Sequence, residues 1–160
     1  SMNKKMLVAE IIKQLESEHA KAVVAANASR EAATNEESQP ENEYDTRALE
    51  ESYLAGAYSK RVAEIEEQIT YFKFIQLKDF PKDSAIGATA VVELEHLGKI
   101  QWVFLTAKGG GIHCSFDGKS IQVVTASSPL GEALQGLRAG DDAIVEVGAT
   151  TKEYEVISVR

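Results

Sequence analysis

The sequence predicts an α+β protein in which a helical hairpin is followed by an antiparallel sheet carrying one short helix. Three observations lead there. Residues 3–74 hold one glycine, Gly56, and one proline, Pro40, amid abundant Ala, Glu, Lys and Gln, a composition that favours helix. Apolar residues in that stretch recur every three to four positions. Beyond residue 84 the texture changes to short runs rich in β-branched side chains and punctuated by glycine. The expected division is a hairpin over 1–76, a linker over 77–83 and a sheet domain over 84–160.

In the first helix the apolar stripe is Val8, Ile11, Leu15, Ala22 and Ala25 or Ala26, and in the second it is Leu54, Tyr58, Val62, Ile65, Ile69 and Phe72. Narrow stripes bury best against each other, which predicts an antiparallel coiled coil. Pro40, with Asn, Ser and Gln around it, breaks the helix and lets the chain reverse. Two arms of roughly 30 residues, at about 1.5 Å per residue, make a rod on the order of 45 Å long. The tip of that rod, near 34–45, is acidic. Residues 31–51 carry eight acids (Glu31, Glu36, Glu37, Glu41, Glu43, Asp45, Glu50 and Glu51) against one base, Arg47. Like charges so crowded repel one another, so the segment suits a cation or a basic partner; a charged turn left to water is the plainer alternative.

The strand-like runs are 89–95, 100–106, 112–116, 121–126, 143–147 and 153–159, with Gly98, Gly118, Gly140 and Gly148 marking turns. One helix interrupts them. Ser128 can cap it, Pro129 suits its first position, and Leu130, Ala133, Leu134 and Leu137 offer an apolar face to the sheet before Gly140.

Composition excludes several functions. A net charge of −8 argues against broad contact with a nucleic-acid backbone, so any link to nucleic acid should run through a protein. No apolar run approaches the roughly 20 residues of a membrane span, and no signal peptide is read after Ser1-Met2. The single cysteine, Cys114, cannot form an internal disulfide, so a reducing cytoplasm is expected. Gly109-Gly110-Gly111 lacks the flanking residues of a phosphate loop and is read as a plain loop. His113 and Cys114 are adjacent, so in a strand they point to opposite faces and cannot share a metal. His19 and His96 are isolated, and spacing assigns no Ser, His and acid constellation.

The tip carboxylates are the remaining chemical proposal. A pair of acids can hold Mg²⁺ through oxygen while other groups complete its shell. The tip of a rod cannot supply a full cage, but it can lend one or two carboxylates to a metal seated in another protein.

The run Ser128-Pro129-Leu130-Gly131-Glu132-Ala133-Leu134-Gln135-Gly136-Leu137-Arg138-Ala139-Gly140-Asp141 resembles the Ser-Pro-Leu-Gly-x-Ala-Leu-x-Gly-x-x-x-Gly-Asp signature of the GreA/GreB transcription factors. The ending Glu153-Tyr154-Glu155-Val156-Ile157-Ser158-Val159 is similar to that family's closing strand, and Glu43-Tyr44 with Ser52-Tyr53-Leu54-Ala55-Gly56 to the start of its second coiled-coil helix. The resemblance covers nearly the whole chain, most strongly 84–160. It implies a coiled-coil hairpin joined to an FKBP-like domain, in a bacterial, monomeric, cytoplasmic elongation factor. It further implies that the body docks on RNA polymerase through the region of Ser128, Pro129, Leu130, Gly131, Gly140 and Asp141. The tip would then enter the secondary channel toward the polymerase-bound Mg²⁺, close to DNA and RNA without binding them itself.

The departure lies at the tip. Cleavage-competent members resemble Gly-Asp-Leu-x-Glu-Asn-x-x-Tyr there. Counted back from Tyr44, the Asp position falls on Glu37 and the Glu position on Pro40; sliding by one residue recovers Glu41 but places Ser38 at the first. No ungapped register keeps both acids. Glu37 and Glu41 remain the candidate catalytic and metal-binding pair, supported by Glu36, Glu43 and Asp45, although Pro40 disfavours a regular turn between them. The expectation is a regulator of elongation or pausing that is no independent enzyme, holds no tightly bound cofactor and at most assists the polymerase in RNA cleavage. The alternative is a peptidyl-prolyl isomerase or chaperone, suggested by the FKBP-like resemblance and by Trp102, Phe104, Phe116 and Tyr154, whose strand spacing fits core packing better than a proline pocket.

Overall fold

A computed structural model describes residues 2–35 and 39–160. Helix α1 runs over Lys4–Thr34 and α2 over Arg47–Lys73; six strands follow, β1 Val91–His96, β2 Lys99–Thr106, β3 His113–Phe116, β4 Lys119–Thr125, β5 Asp142–Val147 and β6 Thr150–Val159, with α3 at Pro129–Leu134 between β4 and β5. By packing, the chain forms two compact units, Ile12–Lys73 and a body made of Ser1–Ile11 with Phe74–Arg160.

Asn3 starts α1, its Oδ1 accepting from the Met6 N–H at 3.1 Å. In the hairpin unit, Leu15, Ile65 and Phe72 are almost completely buried. Toward the acidic end the buried side chains of α1 shrink to Ala22, Ala26 and Ser29, while Leu54 and Tyr58 of α2 stand at 46% and 39% exposure. The apolar stripe read for α2 therefore holds in its second half and leaves the seam in its first. Polar ties cross between the helices: His19 Nε2 to Glu66 Oε1 at 3.0 Å, Arg61 Nη2 to Glu18 Oε2 at 3.3 Å and Arg30 Nη2 to Ser59 Oγ at 3.4 Å.

The body is a six-stranded sheet in the order β3-β4-β2-β1-β6-β5. Every neighbouring pair is antiparallel except β2 with β4, which run parallel from Trp102 opposite Ile121 to Thr106 opposite Thr125. The expected antiparallel sheet is thus mixed at one ladder. The reason is β3, which pairs with the far side of β4 and leaves β4 to close on β2 in the same direction. One face, with Val92, Leu94, Val103, Leu105, Val145 and Val156, forms the main core with α3. Val91, Phe104, Ile121 and Val123 are buried as well. Strands covered on both faces lose the polar alternation of a half-exposed sheet, which explains the continuous apolar run from Val103 to Leu105.

The first turns of α1 belong to this body, and Lys4 shows how they are held. Its Nζ donates to Lys78 O at 2.6 Å and Thr89 O at 2.8 Å and lies 4.6 Å from the Phe80 ring centre. Lys4 is only 9% exposed; burial lowers its pKa to about 8, with Asp79 opposing the shift. Thr89 aims its carbonyl at the ammonium from a backbone φ of 72°, a conformation rarely adopted by a β-branched residue. Among the described residues no helix is long and apolar enough to cross a membrane.

Candidate functional site

The acidic tip and the Ser-Pro-Leu-Gly run lie in different compact units. At the tip, Glu36 and Glu37 lie outside the described residues, as does Ser38. Glu41 through Tyr44 form bends and turns before α2 begins. Asn42 Oδ1 accepts from the Tyr44 N–H at 2.9 Å, and Asp45 Oδ1 accepts from the Arg47 N–H at 3.1 Å, side-chain acceptors that satisfy backbone donors ahead of the helix.

Arg47 organises the acids that can be placed. Its guanidinium donates to Asp45 through Nη2 at 2.8 Å and Nε at 3.1 Å, and Nη2 stands 3.6 Å from Glu41 Oε1. Hydrogen bonding from Arg47 holds the Asp45 carboxyl at about pKa 2, well below its ordinary value. Glu41 points outward with its side chain 79% exposed, and Glu43 is exposed too. Two of the candidate acids thus flank a fixed cation. Among the described residues no group of three metal-ligating side chains forms. The Arg47 guanidinium sits between Asp45 and Glu41, and of the candidate pair Glu37 and Glu41 only Glu41 lies within the described residues.

In the body, Ser128 caps α3: Oγ accepts from the Gly131 N–H at 3.1 Å and donates to Thr125 O at 2.7 Å. Pro129 occupies the first turn, where a missing N–H costs nothing. Gly131 is fixed by contact. A Cβ built on it would lie 1.9 Å from the Thr125 carbonyl oxygen, so only glycine lets α3 sit this close to the end of β4. Leu134 is fully buried and Leu130 partly so. The helix stops at Leu134, short of the span its apolar spacing suggested. Leu137 still reaches the core, delivered by a turn in which Gly136 adopts φ 80° and the Ile86 N–H bonds to Leu137 O at 2.7 Å. Asp141, exposed, accepts from the Arg138 N–H at 2.8 Å, and the Gly140 N–H bonds to Val156 O at 2.8 Å.

Ser128, Pro129 and Leu130 border a cavity of about 770 Å³ whose other walls are Gly110 and Gly111, the β4 end at Val124 and Thr125, and the β5–β6 hairpin at Val145, Val147, Lys152 and Tyr154. Gly131 lies behind that wall, and Gly140 and Asp141 are not part of it. Sequence reasoning missed the glycine loop and the hairpin as parts of this concavity, because only the folded sheet brings them together. The four aromatics do not form one pocket. Tyr154 joins the main core, while Phe104 alternates with core residues Val103 and Leu105 and so faces the other side of β2. Trp102 lies beneath Lys119 and Arg160, at 5.3 and 4.9 Å from its ring centre. His113 is exposed and Cys114 buried, on opposite faces as read; burial, and then Glu10, push the Cys114 thiol pKa up, which leaves it a poor nucleophile.

The architecture defines a two-part factor with an acid-tipped helical hairpin and a sheet body that carries a capped Ser-Pro-Leu-Gly helix beside a concave apolar surface. No family model matches the sequence. The chain is 32% identical over 120 residues to transcription elongation factor GreA of Streptococcus pyogenes serotype M5, an alignment spanning 74% of this chain and 68% of that protein. It is equally identical, over the same extent, to GreA of Streptococcus uberis, and 26% identical over 118 residues to GreA of Methylococcus capsulatus, spanning 74% of this chain and 70% of that one. Among solved structures, Gfh1 (GreA factor homolog 1) of Thermus thermophilus aligns over 93% of this chain and 94% of its own at 21% identity and a TM-score of 0.38. Gfh1 of Thermus aquaticus aligns over 92% and 90% at 24% identity and a TM-score of 0.39. The chain belongs to the GreA/GreB family and is a divergent, Gre-like member of it.

Proposed function

We propose that this protein binds RNA polymerase through its sheet body and places the acidic hairpin tip in the secondary channel, where it modulates elongation or pausing without efficient transcript cleavage. The polymerase would be its partner in the cytoplasm, and contact with DNA or RNA would be indirect. The docking part of this reading is supported by Ser128, Pro129 and Leu130 at the edge of a large apolar concavity, on a unit distinct from the one bearing the acids. A separate anchor is needed because carboxylates crowded on a tip repel one another and give little apolar area to bury.

The observation that carries the non-cleaving part is Arg47, which is hydrogen-bonded to Asp45 and 3.6 Å from Glu41. A guanidinium there competes with a divalent cation for Asp45 and Glu41. Displacing a catalytic ligand by about 1 Å can cost on the order of a hundredfold in rate. The test is a pull-down with core polymerase followed by transcript cleavage and elongation assays on a backtracked complex, with the wild type and a Glu37→Ala, Glu41→Ala variant. Both proteins should bind, cleavage should be weak for both, and the effect on elongation should diminish in the variant. Rapid wild-type cleavage lost in the variant would refute the non-cleaving reading, and absence of binding would refute the partner.

A further inference from the structure

We propose that the hairpin opens from its acidic end, with residues 22–34 and 47–59 separating as one cooperative unit while the opposite end of the hairpin stays closed. The seam between the helices changes along its length. Leu15, Ile65 and Phe72 are each at most 1% exposed, and such side chains bury large apolar areas. Beyond them the buried positions of α1 are Ala22, Ala26 and Ser29, and no residue of α2 before Ile65 is fully buried. The bulk that could fill that stretch points outward, since Leu49 and Tyr53 are 55% and 72% exposed and Leu54 and Tyr58 are exposed as well.

The small side chains of α1 leave less apolar area to bury in that stretch than Leu15, Ile65 and Phe72 bury at the other end. The polar ties follow the same trend. His19 to Glu66 and Arg61 to Glu18 lie on the closed side, and the exposed Arg30 to Ser59 bond, the longest of these ties, lies in the distal stretch. Gly56 sits in the distal part of α2 without tertiary contact or positive φ to justify it, and glycine there weakens a helix. Repulsion among Glu31, Glu43, Glu50 and Glu51 acts on the same end. Few buried apolar contacts and exposed polar ties are the marks of a segment that opens locally. The separation of Glu31 on α1 from Glu50 and Glu51 on α2 is then a fluctuating quantity.

Amide hydrogen exchange on the full chain tests this. Protection in residues 12–19 and 62–73 should exceed that in 22–33 and 48–58 by about tenfold or more. Filling the seam with Ala22→Leu and Ala26→Leu should raise distal protection and leave the closed end unchanged. Should the leucines crowd the helices and prevent folding, Gly56→Ala serves alone, with distal protection expected to rise about fivefold. Equal protection along both helices in the wild type overturns the proposal. So does distal exchange that Gly56→Ala, or a folded leucine variant, leaves unchanged.

Discussion

Substituting Gly131 with Ala should detach α3 from the sheet. The new Cβ would lie 1.9 Å from the Thr125 carbonyl oxygen, 2.8 Å from its carbon and 3.0 Å from Ala126 Cα, all backbone atoms at the end of β4. None can rotate away as a side chain would. Relief requires the helix to lift by about 1 Å, and forcing extra bulk into a packed core costs about 1–3 kcal/mol before any loss of neighbouring contacts. The same shift would stretch the Ser128 cap and loosen Leu134, which is fully buried. We therefore expect about 3 kcal/mol in total, toward the upper end of that range. For a body of this size the corresponding fall in Tm is on the order of 10–20 °C. Trp102, the only tryptophan, lies in this body, so near-UV circular dichroism or fluorescence follows its unfolding. Gly87→Ala is the control, because its Cβ would meet only Phe80 at 3.8 Å, ordinary contact distance. If Gly131→Ala melted with Gly87→Ala at the wild-type midpoint, the close approach of α3 to β4 would not be what requires this glycine.

Two further expectations concern ionisation and the alternative enzyme. The pKa of Lys4, lowered to about 8 by burial, lies below its unfolded value of 10.5, so the unfolded chain binds more protons between those pH values. Wild-type stability should therefore rise with pH across that window relative to Lys4→Met, and parallel urea midpoints for the two proteins from pH 7 to 10 would contradict the shift. A proline-peptide isomerisation assay should show no catalysis, because Phe104 and Tyr154 lie on different sides of the sheet. Saturable isomerisation abolished by shortening Phe104 or Trp102 in a folded variant would restore the isomerase reading.

Elements with a strong local cause were legible in the sequence. The helices followed from composition, the strands from β-branched runs, and the start of α3 from Ser128 and Pro129. Partnership was less legible, because a strand's own residues do not name its neighbour; the parallel β2–β4 ladder depends on where β3 goes. Leu137 misled for a related reason, since helical spacing describes a face but not the backbone that delivers it. Leu54 and Tyr58 misled because size suggests burial, while the seam there takes small side chains from α1. At the candidate sites, one wall of the cavity was visible in the Ser-Pro-Leu-Gly run. The other came from a glycine loop and a hairpin brought near only by the sheet. Lys4 gave no signal at all, because a lysine in a first helical turn is ordinarily solvated.

Arg47 links charge composition to the chemistry open to the tip. Eight acids against one base suggested an excess of free carboxylate, yet that one base is not distributed evenly. It is committed to Asp45 and approaches Glu41. Replacing it with Gln keeps a donor of similar reach but removes the positive charge, so the Asp45 carboxyl should titrate well above about 2 and approach its ordinary 3.8. The sign of the linkage follows. A carboxylate depressed in the folded state stabilises the tip above its unfolded pKa, and that contribution disappears as pH falls through the folded value. Carboxyl carbon chemical shifts of Asp45, followed from pH 7 to 1.5 in the wild type and Arg47→Gln, measure both. An Asp45 titration unchanged by Arg47→Gln would mean that the turn's backbone donors hold the carboxylate, and the acids would then be free of the guanidinium. That outcome would remove the support that the proposed non-cleaving role draws from Arg47, because that support rests on the charge of this one side chain.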